Sequence, residues 1–387
     1  MTIIFFTPIH PLPPAAPENR LAGLDHLRAL AIVLVFLYHY RIFGDPPLIS
    51  TLGSFGWTGV DLFFVLSGYL IGGQLLGRLA ANKPVSYTEF YFKRSLRILP
   101  AYFVVLVLYF TVPAFIERSS LPPLWRFLTF TQNFGLDLSD KAAFSHAWSL
   151  CIEEQFYLVL PVFIIFLTTT GLLRNGGWVI ALLVALGLAA RLYNWFNFVA
   201  SAGDNAWIEF YKYIYYPTYN RLDGLLAGLG LAALFHFKPG LWQRLTRHGN
   251  ILLLLGIGLI IAAGFICAGF TTFNTAAFGF PLISLAYGIM VLAALSPTSV
   301  LYRYSSFITR WIATLSYSIY LIHKQLIHLT HTILDKQGIG NDSYTSFWIS
   351  AAMTLLGGMI LHFTVERPFL RLRDAILAKK RPFGNKN

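Results

Sequence analysis

The chain has 387 residues, 56% of them hydrophobic and only 12% charged, with a mean hydropathy of +0.61 and 34 phenylalanines. That composition excludes a soluble globular protein and describes an all-α polytopic membrane protein. The formal net charge of +12 is spread over short connections, where it reads as a membrane-orientation signal, and no nucleic-acid-binding motif accompanies it.

In chain order, residues 1–20 (MTIIFFTPIHPLPPAAPENR) lack the basic start of a signal peptide and read as a disordered or surface-lying arm. About ten transmembrane helices follow, the first over residues 26–44, the second over 57–77 and the third over 100–117. The remaining spans are expected over residues 147–168, 177–198, 218–236, 250–269, 278–296, 312–333 and 346–365. The longest connection, residues 118–146, has room for an interfacial helix but not for a domain. Residues 21–368 therefore form one transmembrane domain, followed by a basic tail over 369–387 suited to anionic lipid.

With the N-terminus inside, 20 of the 29 Lys and Arg residues fall on the inner side and 6 on the outer side, while Arg191, Arg221 and Lys324 lie within spans. Both termini are accordingly expected in the cytoplasm. Cys151 and Cys267 both lie within spans and join no Cys/His cluster, so neither a disulfide nor a metal site is expected. Nucleotide-binding glycine loops and a nucleophile elbow are also absent from the sequence.

The chemistry lies in polar groups at membrane depth, which are costly there and mark functional sites by default. Arg28 and His39 are eleven positions apart in span 1. Eleven steps of about 100° return to within roughly 20° of the starting direction over a rise of roughly 16 Å, so the pair shares one helix face. Asp61 begins span 2 from the outer side, where it serves either as a cap or in catalysis, and Glu153 begins span 4 from the same side. A carboxylate beside His39 would orient the ring as a general base, and either acid is a candidate. Glu154 points about 100° away from Glu153, so one of the two is expected to face the interior. Glu153 is preferred because Ser149 and Tyr157 flank it on one stripe.

On the inner side, FYFKRSLRILPAYF places Lys93, Arg94 and Arg97 at the start of span 3. Arg94 and Arg97 are spaced to clamp phosphate oxygens, or they simply mark the cytoplasmic end. In span 9, Ser316, Tyr320 and His323 share one face, lining an acceptor path or bonding between helices. Arg221 and Asp223, two residues apart, need not pair with each other. Glu366 with Arg367 is expected to lock the end of span 10.

In order, the chain carries the Arg28 to His39 spacing, GVDLFFVLSGYLI, Arg94 and Arg97 within FKRSLRILPAY, WSLCIEEQFYLVLP, RLDGLLAG, LSYSIYLIH and a closing ERP. In these blocks it resembles the acyltransferase-3 family of integral-membrane O-acyltransferases over residues 21–368. The resemblance implies transfer of an acyl group, commonly acetyl, from cytosolic acetyl-CoA or another acyl-CoA to a hydroxyl of a carbohydrate or glycoconjugate at the outer face of a bacterial inner membrane. It implies that His39 is the general base and Glu153 a supporting or acid/base group, with Asp61 a further catalytic candidate from its position alone. It further implies Arg28, Arg94 and Arg97 at the donor, while the polar positions of Tyr157, Arg221, Ser316, Tyr320 and His323 within spans make them candidates along the substrate path. Some family members add a soluble esterase-like domain, and this chain ends about twenty residues after ERP. The acyl group is therefore expected to reach its acceptor directly or through a separate extracytoplasmic partner. A proton-coupled transporter or flippase of a lipid-linked glycan is the alternative, because such carriers also bury His, Asp, Glu and Arg.

Overall fold

The computed structural model describes residues 21–380, and the arm expected over residues 1–20 lies outside them. The main helices are α1 (Ala22–Tyr40), α2 (Gly59–Ala80), α3 (Tyr87–Thr111), α4 (Trp148–Thr169), α5 (Gly176–Asn194) and α6 (Asp223–Phe237). They continue with α7 (Gly249–Ile266), α8 (Phe280–Ala294), α9 (Phe307–Asp335), α10 (Tyr344–Leu361) and α11 (Arg367–Lys380).

Eight helical stretches among the described residues are long and apolar enough to cross a membrane. The other two expected spans are also helical but depart from that profile. α6 has only 15 residues. α9 has 29, long enough at roughly 43 Å, but it buries His323, Lys324, Gln325 and His331. A polar face on a spanning helix must turn toward protein, and that requirement places α9 against α1 and α10.

α3 begins at Tyr87 rather than near residue 100, which corrects the expected third span. A hydropathy window penalises Lys93, Arg94 and Arg97, yet the Ser86 hydroxyl accepts a hydrogen bond from the Glu89 N–H at 3.3 Å and starts the helix as its N-cap. Lys93 pairs with Glu89 at 2.6 Å, one turn away. The three cations therefore lie on the helix itself, and Pro100 lies inside it.

The middle of the bundle is held by close backbone contact. Gly68 of α2 lies against the backbone of Leu225, and Gly228 of α6 against the backbone of Val65 and Tyr69, so a Cβ at either position would collide with main chain. Small residues at these crossings let two helices approach where lipid offers no hydrophobic drive. At the periphery, Trp178 of α5 and Leu254 and Phe265 of α7 expose large apolar surfaces suited to lipid. α11 leaves α10 through a π-helical turn over His362–Glu366 and packs on α3.

The connections gather at two ends. At one, Trp57 touches Tyr215 and Phe270, with ring centroids 6.3 and 4.8 Å apart, joining the segments that follow α1, α5 and α7. At the other, the His26 ring bonds the carbonyl of Tyr304 at 2.8 Å. His39 lies toward the first end and Arg28 toward the second.

Candidate active site

His39 occupies the last turn of α1, where its Nδ1 lies 3.0 Å from the Val35 carbonyl and 3.0 Å from Nε2 of His323. His323 is fully buried, and its own Nδ1 lies 2.8 Å from the Tyr320 carbonyl. Carbonyls only accept, so in the neutral rings both Nδ1 atoms carry protons and both Nε2 atoms carry lone pairs. His39 thus presents a bare Nε2, and it lines a cavity of about 250 Å³.

A third ring, His146, lies 4.9 Å from His323 and 6.0 Å from His39 between centroids. It is carried on a single 3₁₀ turn before α4, and its Nε2 lies 3.3 Å from the Leu321 carbonyl. That turn is entered through Phe144 at φ +53, a left-handed conformation that costs a bulky residue on the order of 1 kcal/mol or more. The Phe144 ring stacks on Tyr109 at 4.3 Å, and its N–H donates to the Glu117 carboxylate at 3.1 Å. The same Glu117 oxygen meets Lys324 Nζ at 2.9 Å. Lys324 also donates to the Ser145 hydroxyl at 3.1 Å and reaches the cavity.

The cavity walls are aromatic: Trp57, Trp148, Trp207, Tyr38, Tyr211 and Tyr215 all contribute. The hydroxyls of Tyr38 and Tyr211 are 3.1 Å apart. Arg118 also lines the space, and an adjoining opening is bordered by Arg41. Flat rings with a few hydroxyls and cations make a surface on which a polar ring compound can stack and hydrogen-bond.

The expected carboxylate does not stand on His39; the His323 ring does. Asp61 instead accepts from Arg221 at 2.9 Å, and the Arg221 guanidinium lies over Phe280 (3.9 Å), Tyr215 (4.7 Å) and Trp148 (5.6 Å). Arg221 and Asp223 take different partners, since Asp223 pairs with the fully buried Arg191 at 2.5 Å. These two ion pairs tie α2, α5 and α6 together behind the aromatic wall.

Glu153 belongs to a separate polar station. It accepts from the Ser67 hydroxyl at 2.5 Å and lies within the electrostatic reach of Arg94 and Arg97. Arg94 stacks over the Tyr157 ring at 4.7 Å. Glu154 is not turned away as expected: its Oε1 is buried and it also interacts with Arg94. Arg28 is half-buried on α1 and engaged with a neighbouring group.

Two residues of the expected substrate path are occupied internally. The Ser316 hydroxyl donates to the Ala313 carbonyl of its own helix at 2.9 Å. Tyr320 donates to the His146 carbonyl at 2.7 Å and meets Ser149 at 2.6 Å. Ser316, Tyr320, His323, Tyr157 and Arg221 do not line the cavity, because each is turned into helix contacts. The lock expected between Glu366 and Arg367 is also replaced. Glu366 takes the Ser318 hydroxyl and His362 Nδ1, each at 2.8 Å, while Arg367 lies over Phe363.

His146, Glu117 and the place of Lys324 escaped the sequence reading. A lysine inside a span demands a buried acid, which was the available signal for Lys324. Among the described residues, no group of three or more His, Cys, Asp or Glu side chains is arranged to hold a metal ion.

The chain matches the family model described as Acyltransferase domain over residues 21–363. Peptidoglycan O-acetyltransferase OatA of Listeria monocytogenes is 29% identical over 334 residues, covering 81% of this chain and 50% of that protein. O-acetyltransferase OatA of Staphylococcus aureus is 31% identical over 329 residues, 79% of this chain and 50% of that protein. Putative peptidoglycan O-acetyltransferase YrhL of Bacillus subtilis is 26% identical over 368 residues, 91% of this chain and 55% of that protein. The chain spans about half the length of these curated relatives. No solved structure matches it.

Proposed function

The chain belongs to the acyltransferase-3 family, and from that membership we propose that it transfers an acetyl group from acetyl-CoA to a hydroxyl of peptidoglycan. The observation that carries the reading is His39: its Nδ1 is held by two acceptors, and its remaining nitrogen is left for an aromatic-walled cavity. The relatives named as peptidoglycan O-acetyltransferases supply the acceptor class.

In this reading both termini are cytoplasmic and the cavity lies toward the outer face, as the distribution of Lys and Arg favours. The phosphates of the donor rest on Arg28, Arg94 and Arg97, and the pantetheine arm follows α1 through the roughly 16 Å that separate Arg28 from His39. Glu153, held by Ser67, keeps Arg94 in place beside Tyr157.

The sugar stacks on the aromatic walls and places its hydroxyl on His39 Nε2. His39 takes the hydroxyl proton as the oxygen attacks the thioester carbonyl. The tetrahedral intermediate then collapses with loss of the thiolate, which receives the proton from the imidazolium. The products are an acetyl ester and free CoA, and the base is regenerated. Asp61 with Arg221, and Tyr320 with Ser149, act by holding the helices that shape the cavity. The test is release of CoA thiol by the purified protein in lipid, dependent on added muropeptide and matched by base-labile acetyl ester on the glycan.

A further inference from the structure

We propose that His323 is the positioning residue of this reaction, the group that takes the place of a triad carboxylate by accepting the Nδ1 proton of His39. The inference rests on the reading of His39 as the base and adds to it a residue acting only through that base.

The geometry leaves one arrangement for the neutral pair. His323 Nδ1 faces the Tyr320 carbonyl at 2.8 Å and must donate to it, so Nε2 is an acceptor. His39 Nδ1 faces that acceptor and the Val35 carbonyl, both at 3.0 Å, and must donate to one or both. The opposite assignment would give His323 two protons and a positive charge in a fully buried position beside Lys324, and would set the His39 lone pair against the Val35 carbonyl. A neutral ring is therefore fixed on a rigid helix with its lone pair aimed at the base.

The Val35 carbonyl moves with His39, since both belong to α1, and so it sets the tautomer without fixing the ring against the cavity. His323 belongs to α9 and fixes the ring across the helix interface. When His39 accepts the hydroxyl proton at Nε2, its positive charge strengthens the bond to His323, so the contact is worth more in the transition state than in the ground state. The other titratable and charged groups around His39 are Lys324, whose charge is met by Glu117, the His146 ring, Tyr38, and, across the cavity, Arg118, Tyr211, Tyr215 and Tyr216. None of these offers an acceptor to Nδ1 in this structure.

The test compares His323→Phe, His323→Gln and His323→Glu with wild type and His39→Ala, using acetyl transfer from acetyl-CoA to muropeptide in proteoliposomes. His323→Phe keeps ring volume and removes the acceptor. It should lower kcat on the order of 10- to 100-fold with both KM values held within about twofold, less than the loss of a triad carboxylate because the Val35 carbonyl remains. His323→Gln returns an acceptor oxygen and should recover most of kcat. His323→Glu stabilises the protonated base and should move the acidic limb of the pH–rate profile to higher pH by about one unit. Wild-type kcat in His323→Phe would overturn the proposal. So would equal losses in all three variants with an unmoved acidic limb, which would mark a packing role. If the Phe protein does not accumulate in the membrane, the Gln recovery and the Glu limb decide the matter in the same way. Retained activity in His39→Ala, or none in wild type, would instead overturn the reading of the base itself and the proposal with it.

Discussion

Lys324 and Glu117 meet at 2.9 Å beside the histidine pair, both buried, and the same Glu117 oxygen bonds the N–H of Phe144. One carboxylate thereby satisfies a membrane-depth lysine and holds the strained turn that delivers His146. Removing only one partner strands the other charge, which costs about 3–5 kcal/mol for a buried pair, whereas removing both costs far less.

Glu117→Leu should therefore lower the thermal stability of the purified protein sharply, and Glu117→Leu with Lys324→Met should recover much of it. Unfolding followed by tryptophan fluorescence in detergent measures this. Equal stability of the single and double variants would mean that the pair is not coupled.

Arg94→Ala and Arg97→Ala should each raise KM for acetyl-CoA by about tenfold or more, with KM for the acceptor unchanged. Arg94→Lys should recover little, because a lysine cannot reproduce a flat guanidinium over Tyr157. Initial rates over a range of acetyl-CoA concentrations check this, and an unchanged KM in both alanine variants would remove the donor role.

Trp57 and Trp207 line the cavity, Trp57 buried and Trp207 more open. Trp207→Ala should weaken the acceptor, raising its KM by about five- to thirtyfold through loss of roughly 1–2 kcal/mol of stacking, with acetyl-CoA KM unaltered. Kinetics at varied muropeptide concentration decide it.

Gly68 and Gly228 sit where α2 and α6 touch backbone to backbone. Gly68→Val or Gly228→Val should push the helices apart and cost about 3 kcal/mol or more, seen as loss of monodisperse protein on size exclusion. Gly240→Val is the control, since open space surrounds that position, and it should behave as wild type.

Most of the helical frame was legible because each span follows a long apolar run, and the shared face of Arg28 and His39 follows from helix geometry alone. The early start of α3 was hidden because Lys93, Arg94 and Arg97 depress the hydropathy of a helix that its Ser86 cap nonetheless begins. Partner choice was not legible. Asp61, Glu153 and Asp223 each had several cations within plausible reach, and which one each takes depends on helix rotations that no local pattern encodes. Glu117 lies in an irregular segment after Pro113 and reaches Lys324 only through the tertiary fold. His323 read as one of a polar stripe on α9, and its contact with His39, 284 residues away in sequence, required the two helices to be placed together.

The role proposed for His39 is that of base in acetyl transfer from a cytosolic donor to an outer hydroxyl. It is tested most directly by supplying radiolabelled acetyl-CoA to inverted membrane vesicles that contain wild-type protein or His39→Ala at equal, folded abundance, and counting base-labile label on peptidoglycan fragments enclosed in the lumen. Label is expected in the wild-type vesicles, with a loss of about a hundredfold or more in His39→Ala. Equal label in the two preparations, or none in wild type with acceptor present, would contradict that role.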